Sequence, residues 1–196
     1  NRRSRGLGDV YKRQIMDHRM WNAQVAALSD AYRVICLDML GHGDAPNPPG
    51  ERTLADFTGQ VDEVIGEFCA GARPVLGGFS MGGLITQAYG ATHHADLAGL
   101  MVLNAVYNRS PEEAVVVRER SKMMAAEGVT ATVEGARARW FRDDEVAAQG
   151  GKIDEICSWM EEGDFAAKRK AHWVFATSDD QVAGKLGDIS CPALIM

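Results

Sequence analysis

Residues Gly78-Phe79-Ser80-Met81-Gly82 set a serine between glycines two positions away on either side. An apolar run, Val75-Leu76, precedes them and a helical pattern follows. The serine therefore falls on a sharp strand-to-helix turn. Such a turn strains the backbone and presents the hydroxyl oxygen as a nucleophile. The helix that begins there offers amide groups without intrahelical partners. The backbone N–H of Met81 is then one of two oxyanion donors, and the Met81 side chain has only a packing role. The two glycines are expected to let strand and helix approach closely.

A serine nucleophile needs a base, and the base needs an orienting acid. For this type of turn the expected order is serine, acid, histidine. His93 and His94 close the helix that starts at Ser80, far from the serine, where a histidine suits the helix dipole. His172 sits near Trp173 and Phe175 in a helical stretch; an ordinary histidine of that stretch is the simpler reading, a pocket-lining role the sharper one. Asp179 and Asp180 read as a helix cap. Asp38 and His42 precede Ser80 and read as residues that hold a tight loop beside the site. The strand after Ser80 ends in Asn104-Ala105-Val106, without a carboxylate. The acid and histidine are therefore expected beyond Met196, and the second oxyanion donor upstream of Ile15. These residues imply no metal and no organic cofactor.

The elements that position Ser80 follow from periodicity. Met20 to Leu28 has helical spacing. Tyr32 to Met39 is a short apolar run that predicts a buried strand. Thr53 opens a helix with Asp56 in a capping-box position, and Phe57, Val61, Val64, Ile65 and Phe68 form its apolar face. Arg73 to Phe79 is a strand, Gly82 to His93 a helix, and Leu97 to Leu103 a strand. This alternation predicts a parallel sheet, with Asp38, His42, Ser80 and Asn104 at strand ends. From Ser110-Pro111, a strong helix start, to about Leu186 only helical patterns occur. An all-helical insertion over the strand ends is expected, in the position of a lid. The division is a core over 15–108, a helical cap over 109–187, and the start of a further strand over 188–196.

Both ends look foreign to this scheme. Residues 1–14, NRRSRGLGDVYKRQ, are basic and aperiodic, and resemble translated sequencing-adaptor sequence; they are expected to be foreign or disordered. Cys191 to Met196 reads as the opening of a buried strand and suggests truncation.

The 196 residues carry a net charge of −6 and are 46% hydrophobic, which fits one domain with a sizeable core and argues against nucleic-acid and anionic-membrane partners. No apolar stretch is long enough to span a bilayer. The four cysteines are widely spaced and fit buried free thiols in a cytoplasmic setting.

MDHRMW at Met16 to Trp21, DMLGHG at Asp38 to Gly43, GFSMGG at Gly78 to Gly83 and CPALIM at Cys191 to Met196 together resemble the α/β-hydrolase superfamily, in the branch with a helical cap. The cap segment ending Ala138-Arg139-Trp140-Phe141 looks like that of 3-oxoadipate enol-lactonase-like hydrolases. The resemblance implies a small ester or lactone substrate that carries a carboxylate. Arg109, Arg137 or Arg139 would bind that carboxylate, and Trp140, His172 and Arg109 are the candidate pocket residues. It further implies that Ser80 is the catalytic nucleophile and that the chain, without its acid and histidine, is nearly inactive. Carbon–carbon bond hydrolases, cofactor-free haloperoxidase-like enzymes, acyl transferases and a non-catalytic ligand-binding protein of the same fold remain as alternatives.

Overall fold

Two capping boxes set the main helix starts. The Thr53 hydroxyl accepts from the Asp56 N–H at 3.3 Å while Asp56 Oδ2 accepts from the Thr53 N–H at 2.6 Å. Ser110 and Glu113 repeat this reciprocal pattern at 3.2 and 2.8 Å, with Pro111 at the first helical position. The computed structural model describes residues 16–69 and 71–196. The expectations for residues 1–14, and for an oxyanion loop upstream of Ile15, lie outside the described residues.

Six α-helices are present among the described residues: α1 (Asn22–Leu28), α2 (Leu54–Phe68), α3 (Met81–His93), α4 (Pro111–Trp140), α5 (Asp143–Glu161) and α6 (Phe165–Thr177). Three strands, β1 (Val75–Phe79), β2 (Gly99–Leu103) and β3 (Ala193–Ile195), form a parallel sheet in that order. The register runs Val75 to Gly99 through Phe79 to Leu103, and Leu100 to Ala193 through Val102 to Ile195. Parallel neighbours need crossovers; α3 makes the first, and α4 to α6 make the second. Leu84, Ile85 and Tyr89 of α3, Phe57 and Val61 of α2, and Leu100 of β2 meet in the main core. Burying these side chains contributes about 1.5–3 kcal/mol each.

Two expected strands differ. Tyr32 to Met39 forms no ladder, and Val34 and Ile35 are exposed rather than buried. A strand is defined by a neighbour, and no described residue supplies one there. The strand after Cys191 does form, but Leu194 and Ile195 are exposed. It pairs with β2 on one edge only among the described residues.

The helical insertion divides its packing between two cores. Val117 of α4 and Ala171, Val174 and Phe175 of α6 join the main core. Met124, Val133, Ala136 and Trp140 of α4 pack with Ile153, Cys157 and Met160 of α5 in a second core. Gly128 breaks α4 between Met124 and Val133, both in the second core, at φ 84°, a conformation that glycine adopts without a Cβ penalty. Met16 also belongs to the second core. Arg19 bonds Glu162 at 2.7 Å and lies over the Trp159 ring at 5.0 Å. The segment around Met16 to Met20, assigned to the sheet domain by sequence, thus packs on the insertion.

Candidate active site

Ser80 stands between β1 and α3 with φ 55° and ψ −112°. This is a strained region for a residue with a side chain, and costs about 1–3 kcal/mol. The turn is held by backbone bonds: the Ser80 N–H donates to Leu103 O at 2.9 Å, and the Leu84 N–H donates to Ser80 O at 3.1 Å. The Ser80 side chain makes no capping bond to α3. Its Oγ is buried and has no hydrogen-bond partner among the described residues. Met81 is the first residue of α3, and its side chain is buried in the main core. That matches a packing role for the side chain and leaves the N–H in the first turn, where helices have no internal acceptors.

The glycines divide their labour unevenly. A Cβ on Gly78 would lie 2.1 Å from the carbonyl oxygen of Gly82 and 2.5 Å from Thr86 Oγ1. A Cβ on Gly82 would meet nothing within 4 Å. The second close approach belongs to Gly83, whose Cβ would lie 2.5 Å from that of Ala105. Gly82 thus has helical backbone and open space for a side chain, whereas Gly83 is needed for the absence of one.

Asp38 organises the neighbouring loop. Its carboxylate accepts from the His18 N–H at 2.6 Å, and its Oδ2 lies 2.9 Å from His18 Nδ1. A Cβ on Gly43 would lie 2.1 Å from that carboxylate. The bond to Asp38 holds the His18 imidazolium above its ordinary pKa. His42 is fully buried, with Nδ1 3.3 Å from Leu40 O. These contacts fit loop-holding roles. His93 stacks on Tyr89 at 4.3 Å, and His94 Nδ1 lies 3.0 Å from Ser190 Oγ, both at the far end of α3 from Ser80.

A half-open cavity of about 510 Å³ lies on the insertion, lined by α4 residues, among them the exposed Val115, Val116 and Met123, and by His172 of α6; Ser80 does not line it. Trp140 and His172, two of the three sequence candidates, border it together with Arg120, Arg139, Met123 and Met124. His172 Nδ1 and Trp140 Nε1 are buried without a hydrogen-bond partner among the described residues. Burial pushes the His172 pKa down to about 3, and Arg120, Arg109 and Arg139 push in the same direction. His172 is therefore neutral at pH 7. Burial, with Arg120 nearby, also lowers the Arg139 pKa.

Arg109, the third candidate, does not border this cavity. Its Nη1 lies 2.5 Å from Asp179 Oδ1, and both side chains are buried. Asp179 accordingly does not cap a helix; it binds the Arg109 backbone N–H at 2.8 Å and its guanidinium. Arg137 is paired with Asp154. Of the three arginines weighed for a carboxylate, only Arg139 reaches the cavity. Arg120 was not foreseen, because its place at the cavity depends on how α4 packs against α6 and not on a local pattern. Among the described residues, the one cluster with metal-ligand geometry is Asp17, His18 and Asp38. Asp17 is already bound by Arg19 through two side-chain bonds, and Asp38 by His18.

A parallel sheet with flanking helices, and a strained serine between a strand and a helix, define the class. The chain belongs to the alpha/beta hydrolase family, whose model matches residues 6–195. It is 31% identical over 182 residues to (E)-2-((N-methylformamido)methylene)succinate hydrolase of Acinetobacter baylyi, covering 92% of this chain and 67% of that protein. It is 28% identical over 187 residues to 3-oxoadipate enol-lactonase 1 of the same organism, covering 92% and 65%. The chain spans about two thirds of the length of these curated relatives. Among solved structures, the enol-lactonase from Burkholderia xenovorans LB400 superposes with a TM-score of 0.80 at 28% identity, over 94% of this chain and 69% of that one. Among the described residues, no helix is long and apolar enough to cross a membrane.

Proposed function

We propose that the protein is a serine hydrolase that opens a small carboxylic ester or lactone, with Ser80 as nucleophile and the Met81 N–H as one oxyanion donor. The observation that carries this reading is the Ser80 backbone, held at φ 55° at the start of α3. Strained backbone of this kind clusters at active sites, and here it holds a buried serine whose hydroxyl is unbonded among the described residues.

In this reading Ser80 Oγ attacks the carbonyl carbon and loses its proton to a base. The carbonyl oxygen gains the negative charge and accepts from the Met81 N–H, a donor worth about 3 kcal/mol in barrier height. The C–O bond then breaks, the alkoxide leaves with a proton, and water releases the acid from Ser80. No described base hydrogen-bonds Ser80 Oγ, so the chain itself turns over esters slowly.

The helical insertion acts as a cap, and its cavity holds the carboxylate of the substrate. Arg139 and Arg120 supply positive charge, and Trp140 Nε1–H and neutral His172 supply hydrogen-bonding atoms. The names of the relatives specify a substituted succinate and 3-oxoadipate enol-lactone, both carboxylates. Free Cys36, Cys69, Cys157 and Cys191 fit a reducing cytoplasm.

The test is p-nitrophenyl acetate turnover with free imidazole supplied as a base, corrected for the buffer reaction. The expected result is a rise with imidazole that is absent in Ser80→Ala. Equal rises in both proteins would sink the nucleophile assignment and favour a non-catalytic ligand-binding protein. Fast turnover without imidazole, lost in Ser80→Ala, would sink the missing base and return His172 to candidacy.

A further inference from the structure

The two connections between the sheet and the insertion converge on one ion pair. The chain enters α4 through Arg109 and Ser110, and leaves α6 through Ser178 and Asp179. Arg109 is fastened to the end of α6 by three kinds of contact. Its Nη1 lies 2.5 Å from Asp179 Oδ1, just beyond the helix. The same nitrogen donates to Phe175 O at 2.9 Å, a carbonyl of the last helical turn, which α6 cannot satisfy internally. The guanidinium carbon lies 4.4 Å from the centre of the Phe175 ring. The Arg109 and Asp179 side chains are only 3% and 8% exposed, so solvent screens them little.

Phe175 carries this grip towards the cavity. It lies three residues after His172, on the same face of α6, and the two rings are 6.1 Å apart. Val117 near the start of α4 and Phe175 share the main core. A clamp at Arg109 therefore sets how far α6 is rotated and advanced against α4. A buried ion pair is a weak source of net stability, because desolvating both charges offsets most of their attraction. What it supplies is a single geometry.

We infer that Arg109 and Asp179 are positioning residues, which fix α6 so that His172 faces Trp140 and Arg139 across the insertion cavity. This rests on the reading of that cavity as the carboxylate site. Neither residue touches the ligand; both act through Phe175 and the last turn of α6.

Removing one charge strands the other in the interior and risks unfolding. The variant to use is therefore Arg109→Met with Asp179→Asn, which removes both charges and keeps a side-chain oxygen to accept from the backbone N–H of residue 109. Two measurements on the 196-residue chain decide the matter. Hydrogen exchange reads the clamp itself: amides in the last turns of α6 should exchange about tenfold faster in the double variant, while those of α3 keep their protection. Tryptophan fluorescence reads its consequence: adipate, used as a dicarboxylate probe, should bind roughly tenfold more weakly. Unchanged exchange in α6 overturns the clamp. Faster exchange with unchanged adipate affinity also overturns the proposal, because the pair is then structural only. Failure of adipate to bind the parent chain sinks the carboxylate reading and the positioning role with it. Loss of Ser80-dependent ester chemistry with adipate binding intact would instead sink the hydrolase reading alone.

Discussion

A Cβ placed on Gly78 would lie 2.1 Å from the carbonyl oxygen of Gly82. The strand that enters the Ser80 turn and the helix that leaves it are in contact through bare backbone at this point. No side chain fits there, and the turn cannot widen without moving Ser80 off the amino end of α3.

Gly78→Ala should therefore destabilise the protein by about 1–3 kcal/mol, the usual cost of overpacking. Gly82→Ala should be neutral or stabilising by up to about 1 kcal/mol, since its Cβ enters open space on a helix. Urea unfolding of the two variants checks the contrast. Equal losses would show that the two glycines act alike.

His172 gives a dependence on pH with a definite sign. Its folded pKa, about 3, lies below the ordinary value of 6.5. Between these values the unfolded chain binds the proton that the folded chain refuses. The contribution of neutral His172 is complete above pH 6.5 and is lost as pH falls towards 3, by up to about 1.4 kcal/mol per unit. Chemical denaturation across this range should show that slope, and His172→Phe should remove it. An unchanged slope in the variant would assign it to other groups.

Lys168 is a buried cation that ends a helix. Its Nζ donates to the carbonyls of Glu162, Met160 and Trp159 at 2.5, 3.1 and 3.4 Å, at the close of α5. Burial lowers its pKa. Lys168→Met leaves those carbonyls without their donor and should cost about 1–3 kcal/mol. The loss should fall on the helical insertion, read as faster amide exchange at the end of α5 with α3 unchanged.

What was legible in the sequence was local. The Ser80 turn, the capping box at Thr53 and Asp56 and the helix start at Ser110-Pro111 are each set by residues within a few positions of one another. What was not legible depended on distant partners. Tyr32 to Met39 has the composition of a strand, but a ladder needs a neighbour that no nearby residue announces. Asp179 looks like a helix cap because its partner, Arg109, is 70 residues away. Arg109, Arg137 and Arg139 are alike as sequence; only the packing of α4 against α5 and α6 sends the first into an ion pair, the second to Asp154 and the third to the cavity.

The most direct test of the central claim is peptide mass mapping after reaction with diisopropyl fluorophosphate in the presence of free imidazole. The phosphorus should be attacked by Ser80 Oγ with loss of fluoride, so that the adduct maps to Ser80 alone and forms much more slowly without imidazole. An adduct on another hydroxyl, or none at Ser80 when imidazole is supplied, would contradict the assignment of Ser80 as the nucleophile.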